Sequence, residues 1–442
     1  MQIDTRIASA SEKSRTREIR KVVFSSYFGT AVEFYDFLLY ATASAVVFGP
    51  VFFSDLSPWA GIVASYGTFA TGYLARPLGG IIFGHFGDKV GRKKLLVISM
   101  LMMGLASTAI GLVPPSAMIG SWAAVILVTL RVIQGIAVGG EWGGAALMAL
   151  EHADSKKRGF AASFVNAGAP SGSVLGLIIM GLFSSLPQEQ FLSWGWRVPF
   201  LLSFVLLLVG LYIRKNVSES PIFLQASEQQ TAKGQEPARS PLVQVLRRPK
   251  GLLVVIFAAM SAFALQTTLS TFAITFTVSH GVARQDVMFM FAIAGVISIF
   301  TTLLFGRLSD RWGRRPLMIV GNVAFLLVLP VVFPLLASGN LFLIFLGFAL
   351  GIITQTVIYG PMAAFIAERF GTKSRYTGAS MGYQLATVLG AGFTPAILAS
   401  LYAPAQATGP VMVYLGTLAV ISLVTVIFMK ESKDNDLSSV SN

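Results

Sequence analysis

Twelve apolar runs divide the chain, each long enough to cross a bilayer as a helix. A membrane-spanning helix needs roughly 20 mainly apolar residues, and a run that is apolar on every face indicates a span rather than a half-buried surface helix. The pattern predicts spans over residues 22–48, 60–83, 95–113, 122–150, 160–184, 197–213, 252–279, 286–305, 316–337, 341–367, 376–402 and 410–429. We therefore predict an all-α membrane protein with twelve transmembrane helices.

The basic residues lie in short clusters between these spans. Of the 33 Lys and Arg residues, 29 fall in the two terminal tails and in every second connecting loop. An even number of spans brings all these segments to one side of the membrane, and the positive-inside rule makes that side the cytoplasm. The pattern indicates a multi-pass membrane protein with both termini cytoplasmic, and we expect the membrane to be a bacterial inner membrane. It also accounts for the net charge of +13 without a nucleic-acid partner.

Composition narrows the classes of function. Hydrophobic residues make up 54% of the chain and charged residues 12%, whereas a soluble chain carries roughly 25% charged residues. The string nearest to a nucleotide-binding loop, residues 371–374, lacks the glycines of a P-loop, so we do not expect ATP to bind. The sequence has no Cys and no recognisable catalytic set or metal-ligand cluster. We expect neither an enzyme nor a cofactor or metal site, and we expect a monomer.

A short charged motif occurs twice. Residues 84–93 read G-x-x-x-D-x-x-G-R-K and residues 306–315 read G-x-x-x-D-x-x-G-R-R, with the second copy starting 222 residues after the first. Asp88 and Arg92 thus correspond to Asp310 and Arg314. A membrane protein made of two similar halves is typical of secondary transporters.

A second pair of positions supports the duplication. Glu151 precedes Arg158 by seven residues, and Glu368 precedes Arg375 by the same spacing. We interpret these residues, with the two motifs, as ion pairs that join helix bundles and break when the bundles rock apart. The simpler alternative is that the basic loops only set the orientation in the membrane and that the glycines only form turns.

A polar stretch, residues 214–250, separates the two halves and is rich in Ser, Gln, Glu, Lys and Pro. It is too short for a further domain. The predicted organisation is a cytoplasmic tail over 1–21, a six-helix bundle over 22–213, a cytoplasmic linker over 214–250, a second bundle over 251–429 and a cytoplasmic tail over 430–442.

Ionisable residues inside spanning helices are costly and therefore indicate function. The first span carries Glu33 and Asp36, which are three residues apart and so share one face, with Tyr40 four residues further on. The fourth span carries Arg131 and Gln134, also three apart. Glu141 lies about 15 Å along the axis from Arg131, too far to share one small site. We expect a structural or gating role for it.

Other features of the first half predict packing. Arg76 lies two or three helical turns from the cytoplasmic end of the second span, and we expect it to lock the bundle rather than to line a cavity. The fourth span repeats glycine at positions 135, 139 and 143. Small residues at this spacing allow two helices to approach closely, and we expect the partner to be another helix of the same bundle.

Several strings together carry a family resemblance. They are E-F-Y-D-F at 33–37, R-P-L-G-G at 76–80, R-V-I-Q-G at 131–135, G-G-E-W-G-G at 139–144, S-W-G-W-R at 193–197 and R-Y-T-G at 375–378. With the doubled motif, the chain resembles the major facilitator superfamily, and within it the metabolite:proton symporter family of shikimate, 2-oxoglutarate and proline/betaine carriers. The resemblance spans nearly the whole chain. It implies two pseudo-symmetric six-helix bundles, alternating access, proton-coupled uptake, and a central cavity lined by the first and fourth helices.

These residues suggest how a proton and a substrate are coupled. A carboxylate in a low-dielectric cavity takes up a proton readily, and a nearby Arg opposes this. A substrate carboxylate that binds Arg131 would release Asp36 or Glu33 to accept a proton, and Arg suits this task because it grips carboxylates in a bidentate fork. The alternative is a structural pair between Arg131 and Asp36 that locks two helices.

The second half offers polar residues without charge. Gln266, Tyr359 and Gln384 are the residues of this half that we expect to meet a second polar end of the substrate. Uncharged polar side chains in membrane helices, Thr above all, often bond the backbone of their own helix instead of a ligand. The polar positions of the second half therefore carry less weight than the charged positions of the first half. In the first half we expect Gln134, Tyr35 and Tyr40 to complete the substrate site.

The sequence predicts a proton-coupled symporter of a small organic acid, with the lipid bilayer, protons and a small-molecule carboxylate as its partners. A zwitterionic osmolyte of the proline or betaine type is an alternative substrate, because it also carries a carboxylate. A proton-antiporting drug exporter is a further alternative; it would bind apolar ligands and would not need Arg131. A sensor built on a transporter fold would need a signalling domain for which the chain has no room.

Overall fold

The protein is described by a computed structural model that covers residues 27–90, 92–139, 158–215, 245, 247, 249–370 and 375–433. Twelve long helices, α1–α12, account for nearly all of these residues. Their bounds are α1 27–46, α2 Pro58–Val90, α3 Arg92–Ile110, α4 Trp122–Gly139, α5 Arg158–Ser184, α6 Arg197–Lys215, α7 Pro249–Ser279, α8 Arg284–Trp312, α9 Arg314–Leu336, α10 Leu341–Tyr359, α11 375–402 and α12 Thr408–Phe428.

Shorter helices and irregular turns complete the described chain. Phe48–Phe52 follows α1, Ser116–Ile119 precedes α4, Gln188–Gln190 precedes α6, and Met362–Ala367 follows α10. Segments of π-helix occur at Phe191–Gly195, within α7 at Thr268–Phe272 and within α11 at Val388–Gly392. Such segments are rare and are frequent near functional sites.

The apolar surface of the helices fits a membrane. In the described part of the chain, nine helices are long and apolar enough to cross a bilayer. Large apolar side chains of the outer helices remain exposed, among them Leu327, Val413 and Phe428, whereas most of α7 is buried inside the protein. Helices that are apolar on the outside as well as the inside are expected of membrane spans.

The two halves of the chain meet along two long helix pairs. In one pair, α5 follows α8: Gly159 lies against Gly306 near one end, Val174 against Gly295 in the middle, and Gly181 against Phe289 near the other end. In the other pair, α2 follows α11: the rings of Trp59 and Tyr402 lie 5.1 Å apart, and Gly392 contacts Tyr73. These pairs enclose the centre of the molecule.

The doubled motif is more helical than its sequence suggested. The predicted eighth span ended at residue 305, but α8 continues through the motif to Trp312, and α9 begins at Arg314. The turn between them is Gly313 alone, which has a φ of 100°. A positive φ is readily adopted only by glycine. The polar residues of the motif continue the helix beyond the predicted span, so their backbone N–H and C=O groups stay hydrogen-bonded. In the first copy, α2 likewise extends to Val90.

The glycines of α4 allow it to contact the backbone of α2. A Cβ on Gly135 would overlap the carbonyl oxygen of Gly72, and a Cβ on Gly139 would overlap that of Arg76. On the other helix, a Cβ on Gly79 would overlap the carbonyl oxygen of Ile136. The predicted close packing within one bundle is therefore confirmed for Gly135 and Gly139, while Gly143 lies outside the described residues.

Gly135→Ala is expected to destabilise the protein by about 1–3 kcal/mol, because the added methyl group overpacks the α2–α4 contact. Thermal unfolding of the purified protein in detergent should show a transition lowered by a few degrees. Gly67→Ala is the matched control, since a Cβ on this α2 glycine meets no atom within 4 Å. An unchanged transition in Gly135→Ala would show that α2 and α4 can separate without cost.

Candidate functional site

A cavity of about 70 Å³ lies between the two halves. The first half contributes α1 and α5 to its wall, and the second half contributes α7, α8 and α10. Its polar lining residues are Ser173, Gln266, Ser270, Ser298, Thr302, Gln355, Thr356 and Tyr359. Of the second-half residues predicted for the site, Gln266 and Tyr359 line this cavity. Gln384 does not, although it is buried on α11 and neither polar atom of its amide has a hydrogen-bond partner.

The two halves are bonded to each other towards both ends of the molecule. We call the side where α8 ends and α9 begins the hairpin side, and the other the opposite side. On the opposite side, Tyr66 of α2 and Thr275 of α7 form a 2.6 Å hydrogen bond, and Thr275 also donates to the Ala45 carbonyl at 3.1 Å. On the hairpin side, α5 is bonded to Asp310 of α8, as described below. The structure therefore shows contacts between the halves at both ends.

Asp36 of α1 is buried inside the first half. Its side chain is 1% exposed, and Ser203 of α6 donates a short hydrogen bond to its Oδ1. Its Oδ2 has no hydrogen-bond partner. A buried carboxylate with one unsatisfied oxygen is costly when charged, so this position is suited to taking up a proton.

Arg131 of α4 lies among aromatic rings rather than against a carboxylate. Its guanidinium carbon is 4.1 Å from the centre of the Tyr40 ring, 5.0 Å from Phe69 and 5.3 Å from Phe37. Such cation–π contacts stabilise a buried positive charge. The arginine side chain also lies across Gly72 of α2, where a Cβ would collide with its Nε.

A chain of polar groups connects Arg131 with Asp36. Arg131 Nη1 donates to Gln134 Oε1 at 3.0 Å, and Gln134 Nε2 donates to Ser107 Oγ of α3 at 2.8 Å. Ser107 in turn lies beside the Asp36 carboxylate, and Arg131 interacts with that carboxylate electrostatically without a direct ion pair. The two predicted residues are therefore coupled through Gln134 and Ser107.

Arg76 and Glu33 lie where the first half meets α10 and α11. The Arg76 guanidinium carbon is 4.3 Å from the centre of the Tyr73 ring and 5.0 Å from that of Phe37, which is a cavity wall. Arg76 and Glu33 both interact electrostatically with Tyr359. Arg76 therefore lies beside the cavity. This position fits a role in substrate binding as well as the expected role in locking the bundle.

The hydroxyl groups of Tyr35 and Tyr40 form hydrogen bonds within the first half. The Tyr35 hydroxyl donates to the Pro199 carbonyl of α6 at 2.8 Å, and the Tyr40 hydroxyl donates to Thr68 of α2 at 2.7 Å. Neither tyrosine lines the cavity. Tyr40 nevertheless contacts the site through its ring, which supports Arg131.

The second copy of the motif forms a network that joins the halves on the hairpin side. Asp310 accepts hydrogen bonds from the backbone N–H groups of Gly159, at 2.8 Å, and Phe160, at 2.9 Å, at the N-terminus of α5. Arg314 binds Asp310 at 2.8 Å and Glu368 at 3.0 Å. Carboxylates are favoured at helix N-termini, where N–H groups are free and the helix dipole is positive.

Other residues predicted for this network are described only in part. Arg158 interacts electrostatically with Glu368. Glu141 and Glu151 lie outside the described residues, as do the side chains of Asp88, Arg92 and Arg375. The corresponding arrangement in the first copy therefore stays a prediction.

Four participating residues were not predicted from the sequence. Ser107 and Ser203 are single hydroxyls in apolar helices and looked like any other helix-packing serine. Phe37 was indistinguishable from the many other phenylalanines. Glu431 follows α12 and accepts hydrogen bonds from Arg314 N at 3.0 Å and Arg315 N at 2.9 Å. Although burial raises the pKa of Glu431, these and further backbone N–H donors hold its pKa below the usual value.

Comparison with known proteins agrees with the geometry. The profile of the Major Facilitator Superfamily matches residues 27–283 and 255–440. The shikimate transporter of Escherichia coli is 39% identical over 94% of this chain and 95% of its own length. The glycine betaine/proline/ectoine/pipecolic acid transporter of Dickeya dadantii is 35% identical over 95% of this chain and 85% of its own length.

A solved structure gives the same fold at lower identity. The crystal structure of a D-xylose–proton symporter aligns with a TM-score of 0.75 and 18% identity, covering 94% of this chain and 99% of the other. The predicted fold class is confirmed, and so is the expectation of a carrier rather than an enzyme, because the two relatives named above are transporters. The chain therefore belongs to the Major Facilitator Superfamily, and within it to the metabolite:proton symporter family.

Proposed function

We propose that this multi-pass membrane transporter is a proton-coupled symporter that imports a small organic acid by alternating access. The observation that carries the proposal is the buried Asp36 carboxylate, which has one unsatisfied oxygen and is linked through Ser107 and Gln134 to Arg131. Asp36 is then the residue that binds the proton, and the positive charge of Arg131 controls how readily Asp36 binds it. Glu33 is the second candidate for the proton.

The coupling follows from electrostatics. Arg131 and Arg76 both lie behind Phe37, which lines the cavity. A substrate carboxylate near these guanidinium groups neutralises charge that otherwise favours ionised Asp36, so the binding of the substrate favours protonation of the aspartate. Protonated Asp36 in turn no longer competes for the arginines. Substrate and proton thereby stabilise each other's binding, which is the thermodynamic requirement for symport.

Alternating access requires that the two ends open in turn. We propose that the Asp310–Arg314–Glu368 network holds the hairpin side closed and that Tyr66 and Thr275 hold the opposite side closed. The hairpin side is then the cytoplasmic side, in keeping with the positive-inside rule. The proposed bundles span 22–213 and 251–429, joined by a cytoplasmic linker over 214–250. The proposed carrier works as a monomer in a bacterial inner membrane, with both termini cytoplasmic and without ATP.

A zwitterionic osmolyte is the second candidate substrate. The observation in its favour is the 35% identity to a carrier named for glycine betaine, proline, ectoine and pipecolic acid. A betaine also has a carboxylate for the arginines. It differs in its positive end, which would need its own partner.

Uptake into proteoliposomes tests the proposal. Wild-type protein is expected to accumulate a labelled acid from a panel of hydroxy, keto and aromatic acids only when an inward proton gradient is imposed. Arg131→Gln should lower uptake about 10- to 100-fold, since the loss of a charged hydrogen-bond partner costs about 1.5–3 kcal/mol. Arg284→Gln is the matched control, because Arg284 also stacks on an aromatic ring, Phe191, but lies outside the cavity. Uptake that does not depend on the proton gradient, or that is unchanged in Arg131→Gln, would refute the mechanism.

A further inference from the structure

The polypeptide that follows α12 is bonded to the second half of the chain instead of leaving it as a free tail. We call its first four residues, 430–433, the C-terminal strap. At one end of the strap, Arg369 Nη2 donates to the Lys430 carbonyl at 2.5 Å. At the other end, Lys433 Nζ donates at 2.9 Å to the carbonyl of Arg311, in the last turn of α8. The strap therefore crosses the hairpin side beside the turn between α8 and α9.

Glu431 of the strap caps the N-terminus of α9. Its carboxylate accepts the backbone N–H groups of Arg314, at 3.0 Å, and Arg315, at 2.9 Å, which are the first two residues of that helix. It also accepts the N–H groups of Ser432 and Lys433, so one side chain joins the helix and the strap. Carboxylates are favoured at this position because the N–H groups are free and the helix dipole is positive there. Arg314 is thereby held through its backbone as well as through its side chain.

Ser432 of the strap completes the hydrogen bonding of Glu368. The Ser432 hydroxyl donates to Glu368 Oε2 at 2.7 Å, while Arg314 Nη2 donates to Glu368 Oε1 at 3.0 Å. Glu368 and Ser432 are each only 1% exposed, and a buried carboxylate oxygen is costly unless it is hydrogen-bonded. The strap thus satisfies the second oxygen of Glu368 and fixes the orientation of the carboxylate that Arg314 binds.

These contacts form a series that ends in the first half. Arg314 binds Asp310 at 2.8 Å, and Asp310 accepts two backbone N–H groups at the start of α5. Of the hydrogen bonds in this series, only those from α5 to Asp310 join the two halves. The strap can therefore stay in place while the halves separate. Its effect on opening must then come from how it positions Arg314 and Glu368.

We propose that Glu431 and Ser432 are positioning residues of the hairpin side: the strap keeps Arg314 and Glu368 in the arrangement that directs Asp310 to α5, and so sets how often this side opens. The inference rests on the proposed role of the Asp310–Arg314–Glu368 network in alternating access. It adds a segment whose hydrogen bonds, among the described residues, all lie within the second half. It also assigns a task to two residues that were not predicted from the sequence.

Labelling of single introduced cysteines tests the strap, with purified protein in lipid nanodiscs so that both sides are accessible. Ala162→Cys reports opening of the hairpin side, where Ala162 is buried, and Ala45→Cys reports opening of the opposite side. Glu431→Gln places an amide NH₂ against backbone N–H donors. Maleimide labelling of Ala162→Cys should then become about tenfold faster, which corresponds to a shift of about 1.4 kcal/mol, and labelling of Ala45→Cys should slow. Ser432→Ala should act in the same directions.

Two matched controls carry the same substitutions on the opposite side. Glu189→Gln changes an exposed glutamate before α6. Ser185→Ala changes an exposed serine that donates only to the Leu182 carbonyl of its own turn. Both controls should leave the two labelling rates unchanged.

The paired reporters separate positioning from a general loss of stability. A strap that only stabilised the second half would, once weakened, speed labelling at both sites, so faster labelling of both cysteines overturns the proposal. Unchanged labelling in Glu431→Gln overturns it as well. If Glu431→Gln does not fold, Ser432→Ala decides by the same criteria. An effect of Glu431→Gln without any effect of Ser432→Ala refutes the part of the proposal that runs through Glu368.

Asp310→Asn with the same two reporters distinguishes a failure of this inference from a failure of the proposed function. If Asp310→Asn shifts the two labelling rates in opposite directions and Glu431→Gln does not, only the strap is refuted. If Asp310→Asn leaves both rates unchanged, the proposed closing role of the network fails, and the role of the strap fails with it.

Discussion

Asp36→Asn is expected to abolish proton-driven accumulation of substrate while exchange of internal for external substrate continues. The asparagine can still accept the hydrogen bond from Ser203 but cannot take up and release a proton. The variant therefore resembles a carrier locked in its protonated form. Accumulation ratios in proteoliposomes with a proton gradient should fall from well above one to about one, and counterflow of labelled substrate should persist.

The control and a second carboxylate variant make this result decisive. Asp55→Asn changes an exposed aspartate outside the helices and should leave accumulation intact. Glu33→Gln separates the two candidates, because Glu33 interacts electrostatically with Tyr359 of α10 and Tyr383 of α11, whereas Asp36 is bonded to Ser203 of α6. Retained accumulation in Asp36→Asn together with its loss in Glu33→Gln would move the proton site to Glu33.

Asp310→Asn should open the hairpin side. The substitution removes the charge that accepts two backbone N–H groups of α5 and binds Arg314. Charged hydrogen bonds of this kind contribute about 1.5–3 kcal/mol each, and their loss shifts the population of the open form by about tenfold or more. Since the sequence has no cysteine, a single introduced Cys reports this opening without background.

Ala162→Cys provides the reporter. Ala162 of α5 is buried with Ala363, Ala364 and Ala367 on the hairpin side, and its labelling by a maleimide should become about tenfold faster when Asp310→Asn is added. Labelling of Ala45→Cys on the opposite side should slow, because the two ends open in turn; Ala45 is buried and bonds to Thr275 through its backbone carbonyl, so this substitution keeps the contact. Asp286→Asn, in the first turn at the other end of α8, is the matched control. Unchanged labelling of Ala162→Cys would mean that Asp310 does not hold this side closed.

The sequence predicted the helices better than their ends. Each of the twelve predicted spans overlaps a helix of the structure, and nine helices of the described ranges have the apolar length that crossing a bilayer requires. The hydropathy pattern missed the helical continuation through Gly306–Trp312, since polar residues beyond the membrane leave no hydropathy signal. The doubled motif puts Asp310 and Arg314 four residues apart on either side of one turn, and the two side chains form an ion pair there. That such pairs join the bundles and break when the bundles rock apart stays a prediction.

The site was predictable where it depends on one helix and not where several helices meet. Arg131 and Gln134 are bonded as their three-residue spacing suggested. The same spacing put Glu33 and Asp36 on one face, but about 60° of rotation on the helix separates them, enough to turn Asp36 towards α6 and Glu33 towards α10. The contributions of Ser107 and Ser203 depend on contacts between spans that are distant in the sequence, which spacing alone does not encode.

The backbone contact between α2 and α4 also has an electrical consequence. Arg76 and Arg131 lie on two helices whose carbonyl groups and glycines touch, so we expect the two positive charges to move together as one unit. We therefore expect the potential that this unit imposes on Asp36 to change little when the bundles rock. A change in the proton affinity of Asp36 would then come mainly from the charge of the molecule that enters the cavity.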